Sequence, residues 1–144
     1  MSILLLGKDG QVGWQLQRSL APHGQVIAYG RIECDIADLD RVRSVVRQIK
    51  PSVIVNASAY TAVDRAESEP ELARRINAEA PGVLAEETAA LGALLVHYST
   101  DYVYDGCKSA AYAETDLTSP QSVYGRTKLA GEEAIRSVGG KSLI

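Results

Sequence analysis

Short apolar runs alternate with amphipathic stretches along this chain. Ile3–Leu6 is a continuous apolar run closed by Gly7, the pattern of a strand buried on both faces. Gln11–Leu20 follows with Val12, Leu16 and Leu20 at helical spacing, stopped by Pro22 and Gly24. Gln25–Tyr29 is the next short run. Asp38 then precedes Leu39, Val42, Val45, Val46 and Ile49, an i, i+3, i+4 stripe with an N-cap residue in front and Pro51 behind. Val53–Val55 reads as a third strand, ending at Asn56. The Ala-, Glu- and Leu-rich segment from Pro70 to Leu91 reads as helix, with Pro81 marking a kink or a new start. Gly92 precedes a fourth strand, Ala93–Tyr98. A long loop runs from Ser99 to about Ser119, and Gln121–Val138 returns to helix. Gly139-Gly140 closes that helix, and Lys141–Ile144 opens a fifth strand.

Strands that are apolar throughout and alternate with helices argue for a parallel sheet covered on both faces, an α/β doubly wound architecture of Rossmann-like type. Residues 1–144 read as one NAD(P)-binding domain. In such sheets, ligands bind outside the carboxyl ends of the strands, at the topological switch point. The residues that carry chemistry in this chain do cluster just after its strands.

Charge and composition narrow the function classes. The 144 residues carry 15 Lys and Arg against 18 Asp and Glu, a net charge of −3 that supplies no electrostatic drive toward nucleic acid. No apolar run is long enough to span a bilayer, so no membrane association is expected. The N-terminal Ser-Ile-Leu-Leu-Leu-Gly lacks a basic flank and a cleavage site, and so reads as a strand rather than a signal peptide. Cys34 and Cys107 form neither a disulfide framework nor a metal spacing and suit a reducing cytoplasm. His23 and His97 lack partner spacing and default to structural roles. Trp14 is expected to pack.

Gly7-Lys8-Asp9-Gly10-Gln11-Val12-Gly13 follows a strand and opens a helix. Gly7 and Gly10 permit a tight turn and close backbone approach to a pyrophosphate, Gly13 lets the helix lie near the sheet, and the helix N-terminus faces the phosphates. The second strand ends Tyr29-Gly30-Arg31, with no carboxylate at its tip and an Arg fork in its place. That favours NADPH, with NADH possible. Asp35 is a candidate acceptor for the adenine amino group, with Ile36 covering the ring. Tyr124 and Lys128 share one helical face at i, i+4. An ammonium beside a phenol favours the phenolate, which suits the Tyr to hand its proton to a carbonyl oxygen as hydride reaches the carbon. The hydroxyl that would hold that carbonyl is assigned to Thr100, with Ser99 in reserve, at the end of the fourth strand.

Together these motifs resemble the extended short-chain dehydrogenase/reductase superfamily and, within it, the dTDP-4-dehydrorhamnose reductase family. The resemblance covers essentially the whole chain. Its carriers are residues 3–16 (ILLLGKDGQVGWQL), 53–67 (VIVNASAYTAVDRAE), 97–106 (HYSTDYVYDG) and 123–132 (VYGRTKLAGE). It implies NAD(P)H-dependent reduction of the 4-keto group of a dTDP-6-deoxy-hexulose to dTDP-L-rhamnose. It maps the catalytic set onto Thr100, Tyr124 and Lys128. Gly10, Gln11 and Val12 would line the pyrophosphate, Asp35 and Ile36 would meet the adenine, and Ala57, Ser58 and Ala59 would border the cofactor. Thr61, Val63 and Tyr102 would face the sugar. Some members form a magnesium-linked homodimer through a Glu on the first helix; Gln15 stands there, a poorer ligand for a hard cation, so no metal is expected. Family members continue into a smaller C-terminal substrate domain, so the chain is expected to be truncated before it and, alone, to bind a dinucleotide weakly and turn over little. Two alternatives share these motifs: a non-catalytic NADP-binding regulatory subunit like the β-subunit of methionine adenosyltransferase, and a nucleotide-sugar epimerase. The Tyr124–Lys128 pair argues against the first. Arg31 and residues 99–106 favour a reductase over the second.

Overall fold

Five strands, β1 (Ser2–Leu6), β2 (Gln25–Tyr29), β3 (Val53–Asn56), β4 (Leu94–His97) and β5 (Ser142–Leu143), form one parallel sheet in the order β2-β1-β3-β4-β5. This architecture is that of a computed structural model describing residues 1–144. The chain leaves β1 toward β2 and then crosses back to lay β3 on the other side of β1. The switch point therefore lies between β1 and β3, and a ligand crevice is expected at their carboxyl ends.

Helices α1 (Gln11–Leu20), α2 (Leu39–Ile49), α5 (Ala80–Leu91) and α6 (Val123–Val138) flank the sheet. The period-2 alternation of the strands sorts their side chains. Leu4, Leu6, Ile54 and Leu95 point to one face, where Val42, Val45 and Val46 of α2, Val83 and Leu84 of α5, and Ile135 of α6 close over them. Ile3, Leu5 and Val55 point to the other face, against Leu16 and Leu20 of α1. The first face holds the larger core. Arg43 and Arg47 of α2 clamp the nearly buried Glu87 of α5 at 3.1 and 2.6 Å, tying together the two helices that cover it.

Caps fall where the residue types place them. Asp38 accepts from the Arg41 N–H at 3.0 Å to start α2, and Ser122 accepts from the Gly125 N–H at 3.0 Å to start α6. The helix expected over Pro70–Leu91 is interrupted earlier than Pro81. It runs as α4 (Pro70–Arg74), a π-turn (Arg75–Glu79) and α5. Pro81 has no N–H to give the Asn77 carbonyl four residues back. The backbone widens instead, and the Ala80 N–H donates to the Arg75 carbonyl. A four-residue helix, α3 (Val63–Ala66), lies where no apolar period signals one. Trp14, expected to pack, is 55% exposed on α1, because the buried side of that helix is taken by Gly13, Leu16 and Leu20.

The freed carbonyl of Asn77 faces α6 at Gly131, where a Cβ would lie 2.1 Å from the oxygen. Gly131→Ala would gain about 1 kcal/mol of helix propensity. It would also drive a methyl into rigid backbone, at a cost typical of overpacking, about 1–3 kcal/mol or more. Net destabilisation is expected, read as a lower urea midpoint at unchanged m-value.

Candidate active site

The crevice at the switch point is a cleft of about 300 Å³ whose walls come from the exits of β1, β2 and β3. Gly7 and Gly10 of the first loop line it, with Arg31, Asp35 and Ile36 after β2 and Ala57, Ser58, Ala59 and Thr61 after β3. Gly7 has φ +88°, and a Cβ there would lie 2.8 Å from the Ser58 nitrogen, so only glycine lets the first and third exits close on each other. Gly13 is buried beneath Gly7 and holds α1 against the loop rather than facing the cleft. Gln11 and Val12 stand exposed on the first turn of α1. Gly10 is the N-cap of α1 and offers no side-chain acceptor, so the first N–H groups of that helix are left for an external anion. Sequence reasoning did not place Asp9, Gly30, Cys34 and Ile76 in this wall. Burial pushes the Cys34 thiol up, away from reactivity.

The tip of β2 differs from the expectation of a carboxylate-free end. Glu33 folds back so that its carboxylate accepts from the Gly30 N–H at 2.9 Å and pairs with Lys8. Spacing along the chain missed it because the turn after Tyr29 reverses direction within three residues. Arg31 is 80% exposed and pairs with Asp35 at 3.0 Å. The Ala37 N–H, and after it Arg31, hold the Asp35 carboxyl below its ordinary range.

The second group of residues assembles where α6 crosses the end of β4. Lys128 is 1% exposed, and its Nζ donates to the Tyr98 carbonyl at 2.6 Å and lies 3.4 Å from His97 Nε2. Burial, against the opposing pull of Glu132, brings the Lys128 ammonium down to about 8. Tyr124, one turn earlier, is half-buried with its ring edge-on to Tyr102 at 5.5 Å. Thr100 caps the turn Asp101–Val103 by accepting from the Tyr102 N–H at 3.2 Å. Ser99 donates its hydroxyl to Glu132, which Arg136 also holds at 2.8 Å. The Thr100 hydroxyl in turn donates to Asp101 at 3.3 Å, so both hydroxyls at this strand end face a carboxylate. A second cleft of about 310 Å³ opens beside Tyr102, between Asp101, Tyr104, Tyr112 and Gln121. Val63 is half-buried at the start of α3.

Two polar residues pin the loop after β3. Asn77 accepts from the Tyr60 N–H at 2.8 Å and donates to the Tyr60 carbonyl at 3.0 Å and to Thr127 Oγ1 at 3.1 Å. Asn56 accepts from the Ser58 N–H at 3.1 Å and sits 3.1 Å from His97 Nδ1. Every buried side-chain nitrogen and oxygen has a partner. The sequence left Asn56 and Asn77 unassigned and His97 in a structural role by default. The signal was present for two of them: Asn56 and His97 each follow a core position, Ile54 and Leu95, by two residues.

Burial, and then the charge on Lys128, press His97 down to about 3. A base depressed in the folded state binds fewer protons there than unfolded, so its contribution is full above the unfolded value near 6.5 and is lost as pH falls toward 3. Stability is expected to drop through that window by up to about 1.4 kcal/mol per pH unit from this group. Urea melts of the chain and of His97→Gln between pH 7 and 4 check it, the variant showing the shallower slope.

Comparisons with known proteins place the chain in a family. The family model described as RmlD substrate binding domain matches residues 1–144. A dTDP-4-dehydrorhamnose reductase of Burkholderia thailandensis is 53% identical over 140 residues, covering 97% of this chain and 47% of that protein. Among solved structures, a dTDP-4-dehydrorhamnose reductase of Clostridium acetobutylicum superposes with TM-score 0.94 at 38% identity, over 99% of this chain and 51% of that one. The enzyme of that name from Bacillus anthracis, solved in complex with NADP, superposes with TM-score 0.92 at 36% identity, over 98% and 50%. The chain spans about half the length of the relatives it matches, and it belongs to the RmlD family, whose matched members carry the name dTDP-4-dehydrorhamnose reductase.

Proposed function

We propose that this chain supplies the cofactor-binding half and the proton-donating residues of an NADPH-using reductase, acting on the 4-keto group of a dTDP-linked 6-deoxy-hexulose to form dTDP-L-rhamnose. The single observation that carries the reading is the glycine-lined cleft at the ends of β1, β2 and β3 with Lys128 of the Tyr124–Lys128 helix held at the end of the adjacent strand β4. The uncapped N-terminus of α1 and the close Gly7–Ser58 approach fit a dinucleotide pyrophosphate. Arg31 is the cation nearest in sequence to the tip of β2 that is free to turn toward a 2′-phosphate, its only partner being an exposed carboxylate. When bound, the nicotinamide supplies hydride.

The rest is the work of side chains. Thr100 would hold the keto oxygen through its hydroxyl, and Tyr124 would pass its phenolic proton to that oxygen as negative charge develops. Lys128, one turn on, would sustain the phenolate left behind. Tyr102, edge-on to Tyr124, and the cleft beside it would take the sugar, with Thr61 of the first cleft and Val63 facing it from the exit of β3. No helix is long and apolar enough to cross a membrane, and a cytoplasmic location is part of this reading.

Tyr124→Phe is expected to lower turnover of the keto sugar by about 10²–10⁴-fold, the usual weight of a general acid, while dinucleotide binding persists. NADPH absorbance follows the first and fluorescence titration the second. Unchanged turnover removes Tyr124 from the role. Separate titrations with NADPH and NADH are expected to favour NADPH, and Arg31→Ala to erase the difference. A preference for NADH would sink the assignment of Arg31.

A further inference from the structure

Asn56 and His97 are register partners at the carboxyl ends of β3 and β4, and both point to the face that α6 covers. They continue the row Ile54–Leu95 by one step, and the row turns from apolar to polar where Lys128 arrives. Asn56 and His97 are 0% and 3% exposed. Their donor and acceptor roles follow from chemistry. The Ser58 N–H can only donate, so the Asn56 oxygen faces it at 3.1 Å. The Asn56 NH₂ then faces His97 Nδ1 at 3.1 Å and can only donate there, which puts the single proton of neutral His97 on Nε2. That Nε2–H points at Lys128 Nζ, 3.4 Å away. An uncharged amine accepts it and still donates to the Tyr98 carbonyl. An ammonium has no lone pair to offer.

Protonating Lys128 therefore leaves two arrangements. The imidazole N–H can confront the ammonium, or the chain can reverse, with the His97 proton moving to Nδ1 and the Asn56 amide turning over. Reversal takes the acceptor away from the Ser58 N–H, and an unpaired buried N–H is costly. Other ionisable groups act on the amine from its own helix: Tyr124 one turn before, and Glu132 one turn after, already held by Ser99 and Arg136. Neither reaches Ser58.

We propose that Asn56 and His97 are positioning residues that couple the proton on Lys128 to the Ser58 N–H in the wall of the cofactor cleft. In the free protein the chain Ser58 → Asn56 → His97 → Lys128 weakens the hold of the amine on its proton. A ligand oxygen that takes over the Ser58 N–H releases Asn56 to turn, His97 to change tautomer, and Lys128 to hold its proton more tightly. Binding in the cleft thereby raises the proton affinity of the lysine, and by reciprocity a charged lysine strengthens that binding. The use of Lys128 in a reductase rests on the function proposed above. The coupling is read without turnover, so the two can fail separately.

The test uses the 144-residue chain labelled with ¹⁵N at histidine and lysine. Above the midpoint of Lys128, assigned by the signal missing from Lys128→Met, the His97 proton is expected on Nε2. As pH is lowered, the His97 nitrogens are expected to shift through the same midpoint as Lys128 Nζ. A proton on Nδ1 at high pH, or His97 nitrogens that stay flat while Lys128 titrates, would overturn the proposal. Asn56→Ala, which removes the group that fixes the tautomer, is expected to raise the Lys128 midpoint by about one pH unit, a tenfold gain in proton affinity. An unchanged midpoint in a folded Asn56→Ala chain would overturn it as well. If that variant does not fold, the spectra of the unaltered chain decide.

Discussion

A lysine amine buried at the end of a strand constrains everything near it. Burying an ammonium with too few partners costs several kcal/mol, and Lys128 has the Tyr98 carbonyl as acceptor with His97 3.4 Å away. Both partners belong to the exit of β4, so α6 must cross the sheet at that point and at close range. The close range comes from missing side chains. Gly131 lets the Asn77 carbonyl approach, and Gly125 lets the Tyr102 carbonyl approach, at distances where a Cβ would collide. The widening of the helix before Pro81 is part of the same contact, because it turns Asn77 so that its carbonyl meets Gly131 while its side chain holds Tyr60 and Thr127.

The same row of the sheet changes character along its length. Leu4, Ile54 and Leu95 are core; two residues on, Asn56 and His97 are polar and as well buried. Sheet register places the two side by side, and the sheet face places them under α6. The core that stabilises the domain and the network that tunes Lys128 are thus successive rungs of one ladder. A change in the register of β3 against β4 would dismantle both. Burial depresses the proton affinity of both His97 and Lys128; the charge on Lys128 adds to it at His97, whereas Glu132 opposes it at Lys128.

At the other end of the cleft, cations and carboxylates are paired around the tip of β2. Lys8 pairs with Glu33 and Arg31 with Asp35, and a third carboxylate, Asp9, stands against Gly30. A phosphate arriving there competes with carboxylates for the same donors. Solvent-screened pairs of this kind are weak, so they order the site without closing it to an anion.

Much of the fold was legible in the residues by themselves. The apolar runs, the Asp38 cap, the glycine loop and the Tyr124–Lys128 face follow from local periodicity and turn chemistry, and each stands where those rules put it. Pattern marked Pro81 as an interruption but could not foresee that the helix widens into a π-turn before it, with the Asn77 carbonyl against Gly131 of α6. Nor could it foresee Glu33 at the tip of β2, which depends on a reversal of the chain, or the exposure of Trp14, which depends on which side of α1 meets the sheet. Nor could it foresee that the Ser99 hydroxyl goes to Glu132 and the Thr100 hydroxyl to Asp101. The sequence alone determined which elements form and which residue types stand at their ends, since those depend on neighbours a few positions away. Only the tertiary structure decided that Asn56, His97 and Lys128 make one hydrogen-bonded chain, because its members come from three elements and meet through strand register and helix packing.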